Sequence, residues 1–242
     1  MNRKNFIIII PSRIGSTRLP RKPLAQIGDK LLIEHIISNL KADFADNLYV
    51  ATDSEEIATL VKTFGANAIM TEECATGTDR VYQAFCKLQS AAKYIINLQG
   101  DMPFVTPQLI YKIVERLEKG DCDIATAIIK ADKDAIESES NVSVVIDKND
   151  LAMYFSRCPI PYNGTEFNYH MGVYGFRVEA LKRFVNLPQT KYELSEKLEQ
   201  LRALEDGMKI GVCIVNEAPI SVDTPEDLQK AIKYYNKNLS TQ

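Results

Sequence analysis

Residues 6–24 have the sequence FIIIIPSRIGSTRLPRKPL, in which an apolar run is followed by a small, basic loop. The run at 6–10 is continuous and rich in β-branched residues, which predicts a central parallel strand that is covered on both faces. Pro11 ends this strand. Because parallel α/β sheets bind phosphates at the carboxyl ends of their strands, the loop that follows is a candidate phosphate site.

The loop contains residue types that suit an anion. Gly15, Ser16 and Thr17 are small or polar, so the backbone can close around phosphate oxygens while nearby cations neutralise their charge. The GxxxxGK[ST] and GxGxxG spacings are both absent, which excludes a Walker loop and a dinucleotide fingerprint. A solvated basic loop is the alternative interpretation. The cations of the loop are Arg13, Arg18, Arg21 and Lys22.

The composition limits the class of protein. A chain of 242 residues is long enough for one large α/β domain, and 45% hydrophobic residues provide an ordinary globular core. The net charge of -3 argues against a nucleic-acid partner, so the basic loop suits a small anion. No apolar run has transmembrane length, so no membrane partner is expected. Five dispersed cysteines without a C-x-x-C pair indicate reduced thiols and a cytoplasmic protein.

Strand and helix patterns alternate through the first half of the chain. This alternation predicts an α/β fold with a doubly wound, mostly parallel sheet. Strands are predicted at 47–52, 68–70, 93–98 and 122–129, and helices at 31–42, 54–64, 78–88 and from Thr106-Pro107 onward. Ser54 is expected to cap the second helix, and Thr78 or Asp79 the third.

The pattern changes after about residue 130. Residues 142–147 and 152–156 predict a hairpin, with its turn at 148–150. A strand at 169–176, a helix at 193–204, a strand at 209–215 and a helix at 224–235 are expected to follow. Thr224 and Asp227 have the spacing of a capping box for the last helix. We therefore expect a single domain over 1–242, with a smaller β-rich lobe at about 131–192.

Two aspartates that follow apolar segments are candidate metal ligands. Asp101 lies in NLQGDMP, where Gly100 allows a tight turn, and Asp223 lies in SVDTPEDL before the last helix. A pair of carboxylates beside a triphosphate suits Mg²⁺, because phosphates and waters complete its octahedron. Each aspartate alone is equally well explained as a turn residue or an N-cap neighbour. Together with the basic loop, the two favour a magnesium site.

Three further motifs have a structural explanation that is preferred from the residues alone. ATGTDR at 75–80 opens a helix and can meet a base or a phosphate, but it also suits a plain N-cap. YHMGVY at 169–174 contains a lone histidine, which is more often structural than a ligand. His170 and Tyr174 are four residues apart on a predicted strand, so they should share one face. LEQLR at 198–202 suits a solvated helix face.

Taken together, the motifs resemble those of the 3-deoxy-manno-octulosonate cytidylyltransferases, or CMP-Kdo synthetases, along nearly the whole chain. The matching segments, in order, are PSRIGSTRLPRKPL, YVATDSEE, GTDR, NLQGDMP, YFSR with IPY, HMGVYGFR, LEQLRALEDG and VDTPEDL. The resemblance implies a fold of the nucleotide-diphospho-sugar transferase type and a homodimer formed through the smaller lobe. It also implies the reaction CTP + Kdo → CMP-Kdo + diphosphate, which supplies lipopolysaccharide synthesis.

The resemblance further implies a role for each motif. Asp101 and Asp223 would bind Mg²⁺, and Lys22 and Arg13 would complete the catalytic set by holding the triphosphate. The nucleotide site would comprise Pro11, Ser12, Arg13, Gly15, Ser16, Lys22, Thr76, Gly77, Arg80 and Gln99. The acid-sugar site would comprise Gln99, Arg157, His170, Tyr174, Glu199 and Gln200.

The identity of the sugar stays open, because the departures from the family pattern lie on the sugar side. Cys74 stands where the family often has histidine, and Tyr169 replaces a commonly basic residue. The segment between Arg157 and His170 is also shorter than is typical. The alternatives are a cytidylyltransferase for a related acid sugar, such as 8-amino-Kdo or a sialic-acid-like sugar, and a regulatory module that binds nucleotide without turnover.

Overall fold

The apolar run near the start of the chain forms a buried strand over Phe6–Ser12. The structure is a computed structural model that describes residues 5–131, 141–217 and 219–239. Residues 132–140 of the predicted lobe lie outside the described residues. The fold is mixed α/β with a mostly parallel central sheet, as the sequence predicts.

The described residues form the following elements. The strands are β1 (Phe6–Ser12), β2 (Gln26–Ile27), β3 (Lys30–Leu31), β4 (Leu48–Thr52), β5 (Asn67–Met70), β6 (Tyr94–Asn97), β7 (Ile124–Ala131), β8 (Ser143–Ile146), β9 (Ala152–Ser156), β10 (Phe167–Arg177) and β11 (Ile210–Ile214). The helices are α1 (Leu32–Phe44), α2 (Glu55–Thr63), α3 (Gly77–Leu88), α4 (Pro107–Glu118), α5 (Val178–Val185), α6 (Lys191–Glu196), α7 (Gln200–Glu205) and α8 (Pro225–Leu239).

The chain divides into two compact units, of which the first contains residues up to Ala92, Asn97–Pro107 and the residues from Pro219 onward. In this unit β1, β4 and β5 pair in parallel, in that order. Helices α1, α2 and α3 follow β3, β4 and β5 along the chain and bury apolar faces. The N–H of Leu98 donates to the carbonyl of Ile9 at 3.2 Å, so the turn that follows β6 begins beside β1.

The second unit contains Lys93–Ile96 and Gln108–Ala218. Its strands have the order β11-β7-β10-β6, and β8 joins β9 to β10. β11 is parallel to β7, whereas β10 is antiparallel to it. β8 and β9 form the predicted antiparallel hairpin.

Two predicted helix starts are confirmed, and two local predictions are wrong for identifiable reasons. Ser54 caps α2 and Pro107 begins α4, as predicted. Thr76, and not Thr78 or Asp79, caps α3, because Thr76 and Asp79 form a reciprocal capping box. The single helix predicted at 193–204 is divided into α6 and α7, because Lys197 has the left-handed φ of 54°. Helix α5 was not predicted.

In the part of the chain that the structure describes, no helix is both long and apolar enough to cross a membrane. All five cysteines are free thiols.

Candidate active site

A cavity of about 390 Å³ lies at the carboxyl end of β1 in the first unit, a size within the range of small-molecule and cofactor sites. Three loops and the segment before α8 line it. The predicted residues among its lining are Pro11, Ser12, Arg13, Ser16, Lys22, Thr76, Gly77, Arg80, Gln99, Asp101 and Asp223. Gly15 belongs to the same loop but is not one of the lining residues. Arg18 and Cys74, which were not predicted as site residues, line the cavity.

Backbone contacts bring the loops of the cavity together. A Cβ at Gly100 would lie 3.0 Å from the carbonyl oxygen of Pro11, so a residue without a side chain is needed for this close approach. The N–H of Val222 donates to the carbonyl of Asp101 at 2.8 Å. This hydrogen bond holds the segment that carries Asp223 beside the turn that carries Asp101.

Lys22, Asp101 and Asp223 form a charged cluster in the cavity. Lys22 Nζ lies 2.9 Å from Asp223 Oδ1 and 3.8 Å from Asp101 Oδ2. Arg18 Nη2 lies 3.3 Å from the same Asp223 oxygen. Burial raises the pKa of Asp101; the charge of Lys22 opposes this rise and that of Asp223 adds to it. Lys22 therefore lies beside both carboxylates, and Arg18 adds a second cation beside Asp223.

The cluster has the donor set that Mg²⁺ requires from a protein that shares the ion with phosphates. Asp101 Oδ1 is buried and has no hydrogen-bond partner among the described residues, so it is an acceptor that remains to be satisfied. Within the same residues there is no group of three or more His, Cys, Asp or Glu side chains that could enclose a metal. Two carboxylates fit Mg²⁺, which keeps several waters and takes further oxygens from substrate.

The cations of the loop have different partners. Arg21 is paired with Glu56 at 2.5 Å, which directs it away from the cavity lining. Arg13 is exposed and lines the cavity. Ser12 is buried, and its Oγ has no hydrogen-bond partner among the described residues. The cavity therefore presents Arg13, Arg18 and Lys22 together with an unsatisfied hydroxyl, as an anion site requires.

Arg80 is engaged by the protein itself. Its Nη2 lies 2.6 Å from Asp53 Oδ2, and its Nη1 donates to Thr71 Oγ1 at 2.5 Å. The side chain is 4% exposed. Arg80 lines the cavity, but most of its guanidinium is used to hold the start of α3 against neighbouring loops. Asp53, which lies in the YVATDSEE motif, was not predicted as a site residue.

Gln99 is oriented by a chain of buried amides and hydroxyls. Its Nε2 donates to Asn97 Oδ1 at 3.1 Å, and Asn97 Nδ2 donates to Thr78 Oγ1 at 3.1 Å. The amide oxygen of Gln99 is therefore left as an acceptor. Asn97 was not predicted, although a polar residue at the end of a buried apolar strand is the signal that could have identified it.

The predicted sugar residues other than Gln99 belong to the second unit, where His170 and Tyr174 are in contact. Their ring centroids are 5.4 Å apart, and Phe155 packs edge-on against His170 at 4.9 Å. The prediction of a shared face is confirmed, but through a different geometry. The register shifts between Met171 and Tyr174, so that four residues of β10 span only two of β7. In a regular strand the two residues would lie about 13 Å apart.

Both of these rings are uncharged at neutral pH. Burial, and to a lesser extent the charge of Arg157, lowers the pKa of His170 to about 3. Burial raises the pKa of Tyr174 well above its usual range, and the charge of Glu199 adds to the increase. The pair therefore offers neutral hydrogen-bonding groups and no net charge.

Charged and amide groups accompany this aromatic pair. Gln200 is buried, and its Nε2 has no hydrogen-bond partner among the described residues. Glu199 lies 3.6 Å from Arg202, which also pairs with the buried Glu193 at 2.8 Å. The N–H of Arg157 donates to a carboxylate oxygen of Glu196 at 2.8 Å. LEQLR is therefore not a solvated helix face, since most of it is buried.

Comparison with known proteins agrees with this arrangement. Residues 7–210 match the family described as cytidylyltransferase. The 3-deoxy-manno-octulosonate cytidylyltransferase of Rickettsia bellii (strain OSU 85-389) is 50% identical over 98% of this chain and 99% of its own. That of Rickettsia typhi (strain ATCC VR-144 / Wilmington) is 49% identical over 98% of this chain and 100% of its own.

Solved structures show the same similarity. A CMP:2-keto-3-deoxy-manno-octonic acid synthetase complexed with CTP superposes with a TM-score of 0.89 at 32% identity, covering 96% of this chain and 99% of that one. A putative glucose-1-phosphate thymidylyltransferase from Bacillus anthracis shares the fold, with a TM-score of 0.68 at 15% identity over 95% of each chain.

Proposed function

The chain belongs to the 3-deoxy-manno-octulosonate cytidylyltransferase family, and from this we propose that it transfers the cytidylyl group of CTP to Kdo. The products are CMP-Kdo, which would supply lipopolysaccharide synthesis, and diphosphate. The observation that carries the proposal is the cluster of Lys22, Asp101 and Asp223 at the carboxyl end of β1. A triphosphate needs cations at this edge of the sheet, and a metal-dependent transfer needs carboxylates beside them.

The reaction demands positioning and charge neutralisation more than covalent chemistry from the protein. A bond forms between the anomeric oxygen of the sugar and the α-phosphorus of CTP. The bond from that phosphorus to the departing diphosphate breaks, and the hydroxyl proton passes to solvent. We assign Lys22 and Arg13 to the triphosphate, where they offset the charge that develops on the leaving group. Ser12 and Ser16 supply hydroxyl donors to the same oxygens.

We further propose that Asp101 and Asp223 hold Mg²⁺. The unsatisfied Oδ1 of Asp101 and the lysine shared by the two carboxylates support this assignment. When bound, the ion would act as a Lewis acid that neutralises phosphate charge. Lys22 would then be free to turn from the carboxylates to the triphosphate.

The nucleoside is assigned to the segment that begins α3 and to Gln99. The backbone N–H of Thr76 donates to Asp79 in the capping box, and the first N–H groups within a helix lack intrahelical partners, so Gly77 offers a backbone donor at this end of α3 while Thr76 holds its start. Since Gln99 Nε2 donates to Asn97, the amide oxygen of Gln99 is the atom assigned to accept from a nucleoside or sugar hydroxyl or from an amino group. Arg80, held by Asp53, is assigned to fixing the loop that carries these groups.

The neutral character of His170 and Tyr174 refines the sugar assignment. Neither group carries a positive charge at pH 7, so we assign both to sugar hydroxyls. Glu199 is an anion and is assigned to hydroxyls for the same reason. Arg157 and the unpartnered amide nitrogen of Gln200 are assigned to the carboxylate of the acid sugar.

We also propose that the protein is a cytoplasmic homodimer. The five free thiols support a reducing compartment.

The proposed dimer interface lies in the second unit. There, Met153 and Leu194 are 63% and 58% exposed, and Tyr192 packs near Tyr154 on the adjacent edge strand β9. Exposed apolar side chains on an edge strand favour an interface. Light scattering should show a dimer that Met153→Glu weakens and Tyr234→Glu, at an exposed site in the first unit, does not; a monomer for the parent chain would contradict it.

The decisive experiment measures diphosphate release with CTP, Mg²⁺ and each of three sugars: Kdo, 8-amino-Kdo and a sialic acid. Release with Kdo at the highest kcat/KM confirms the proposal. A higher kcat/KM for another sugar would favour a related cytidylyltransferase. CTP binding by calorimetry without release from any sugar would indicate the non-catalytic regulatory module.

A further inference from the structure

Thr126 is a fully buried residue of β7 whose hydroxyl meets three polar atoms of β10. Its Oγ1 lies 2.9 Å from His170 Nε2, 2.8 Å from the carbonyl oxygen of Val173 and 3.2 Å from that of Met171. A hydroxyl has one hydrogen to donate and two positions at which it accepts. Carbonyl oxygens only accept, so the hydroxyl hydrogen is donated to Val173 or Met171. Toward His170 the hydroxyl is therefore the acceptor.

This hydrogen-bond pattern fixes the tautomer of His170. Because Thr126 Oγ1 accepts from Nε2, that nitrogen must carry the proton. The ring is neutral, since burial lowers the pKa of His170 to about 3, and a neutral imidazole has only one N–H. Nδ1 is consequently unprotonated and accepts hydrogen bonds.

The same hydroxyl also supports the irregular segment of β10. The register shift lies between Met171 and Tyr174, and Thr126 contacts the carbonyls of Met171 and Val173 within it. Tyr174 pairs in register with Thr126. One side chain thus fixes the ring of His170 and the backbone that brings Tyr174 to it.

We propose that Thr126 is a positioning residue for the acid sugar: its hydroxyl holds His170 in the Nε2–H tautomer, so that Nδ1 accepts a hydrogen bond from a sugar hydroxyl. The inference rests on the proposed function, since it explains how His170 performs the role assigned there. Thr126 lies outside every sequence motif that indicated the sugar site.

The first test is the tautomer itself, measured by long-range ¹H–¹⁵N spectra of protein labelled at histidine. The chain has only two histidines, and His170→Gln identifies the signal of His170. His35 is an internal control, because its Nε2 lies 2.7 Å from the carbonyl of Ile27 and must donate to it. We expect Nε2–H for both rings. An Nδ1–H tautomer for His170 in the parent protein overturns the proposal, and this measurement needs no variant of Thr126.

The second test compares Thr126→Val with Thr126→Ser. Valine keeps the shape but removes the acceptor, so His170 should lose its single tautomer, and kcat/KM for Kdo should fall about tenfold or more. The affinity for CTP should be unchanged. Serine restores the hydroxyl and should recover the Nε2–H tautomer and most of the sugar use. His35 should be the same in all three proteins.

The outcomes separate this inference from the proposed function. If Thr126→Val keeps both the tautomer and the parental use of Kdo, the inference is wrong while the proposed function stands. If Thr126→Ser fails to restore what valine removes, packing and not the hydroxyl is responsible, and the inference is again overturned. If His170→Ala leaves the use of Kdo unchanged, the sugar role of His170 is wrong, and this inference fails with it.

Discussion

Acid conditions should destabilise this protein through His170 by an amount that follows from its burial. The pKa of His170 is lowered from 6.5 to about 3 in the folded protein. As the pH falls below 6.5, the unfolded chain takes up a proton that the folded chain refuses, so unfolding becomes more favourable. The effect begins near pH 6.5 and is complete below the folded-state pKa.

The size of this effect at pH 5 does not depend on the exact folded-state pKa, because the ring stays neutral there. A pH of 5 lies about 1.5 units below the pKa of the unfolded histidine, and each unit is worth about 1.4 kcal/mol. The free energy of unfolding at pH 5 is therefore lowered by about 2 kcal/mol. At pH 7 the same term is about 0.2 kcal/mol. The free energy of unfolding should therefore lose about 2 kcal/mol between pH 7 and pH 5 through this one side chain.

The assay is urea unfolding of the parent protein and His170→Gln at pH 7, 6 and 5. Glutamine does not titrate, so its cost in stability is the same at every pH. The other titratable groups are common to both proteins, so they cancel when the two free energies of unfolding are subtracted. The parent should lose about 2 kcal/mol more than the variant between pH 7 and pH 5. A change in the difference of less than about 0.5 kcal/mol, the usual error of such comparisons, would refute the buried neutral state of His170.

Three further results are expected. Asp101→Asn and Asp223→Asn should fold like the parent and lose turnover about 10²-fold or more, as loss of a preorganised electrostatic group does; near-parental turnover of both at saturating Mg²⁺ would contradict the metal assignment. Lys22→Ala should weaken CTP binding in calorimetry yet cost no more than about 1 kcal/mol of stability, because a partly exposed ion pair contributes little; unfolding with CTP affinity intact would make the loop structural. His170→Ala and Glu199→Ala should each lower kcat/KM for Kdo by an amount equivalent to about 1–3 kcal/mol of lost interaction energy, without changing CTP affinity; equal losses on both substrates would count against a sugar role.

The parts of the fold that short-range patterns determine could be predicted from the sequence. The apolar run of β1, the proline that begins α4 and the capping box of Thr224 and Asp227 all depend on neighbouring residues, and all three are present. The cap of α3 was predictable too, because Thr76 and Asp79 already have the T-x-x-D spacing. The prediction of Thr78 or Asp79 overlooked that spacing.

Features that depend on tertiary contacts could not be predicted. Lys197 adopts a left-handed conformation without being glycine, so nothing in its residue type marks the break between α6 and α7. The pairing of Arg21 with Glu56 removes one of four similar cations from the cavity, and only the folded chain shows which one. The register shift in β10 is likewise hidden, because counting alternate residues assumes a regular strand.

The two units differ in how they treat the titratable groups of their candidate sites. In the first, Lys22 and two carboxylates keep their charges close together, which suits a triphosphate and a divalent ion. In the second, burial keeps both His170 and Tyr174 neutral, so neither changes charge between about pH 5 and pH 9. These two rings therefore cannot cause a change in sugar affinity within that range. Any such change must come from the substrate or from other groups, and the acid limit of the enzyme should be set by loss of folding.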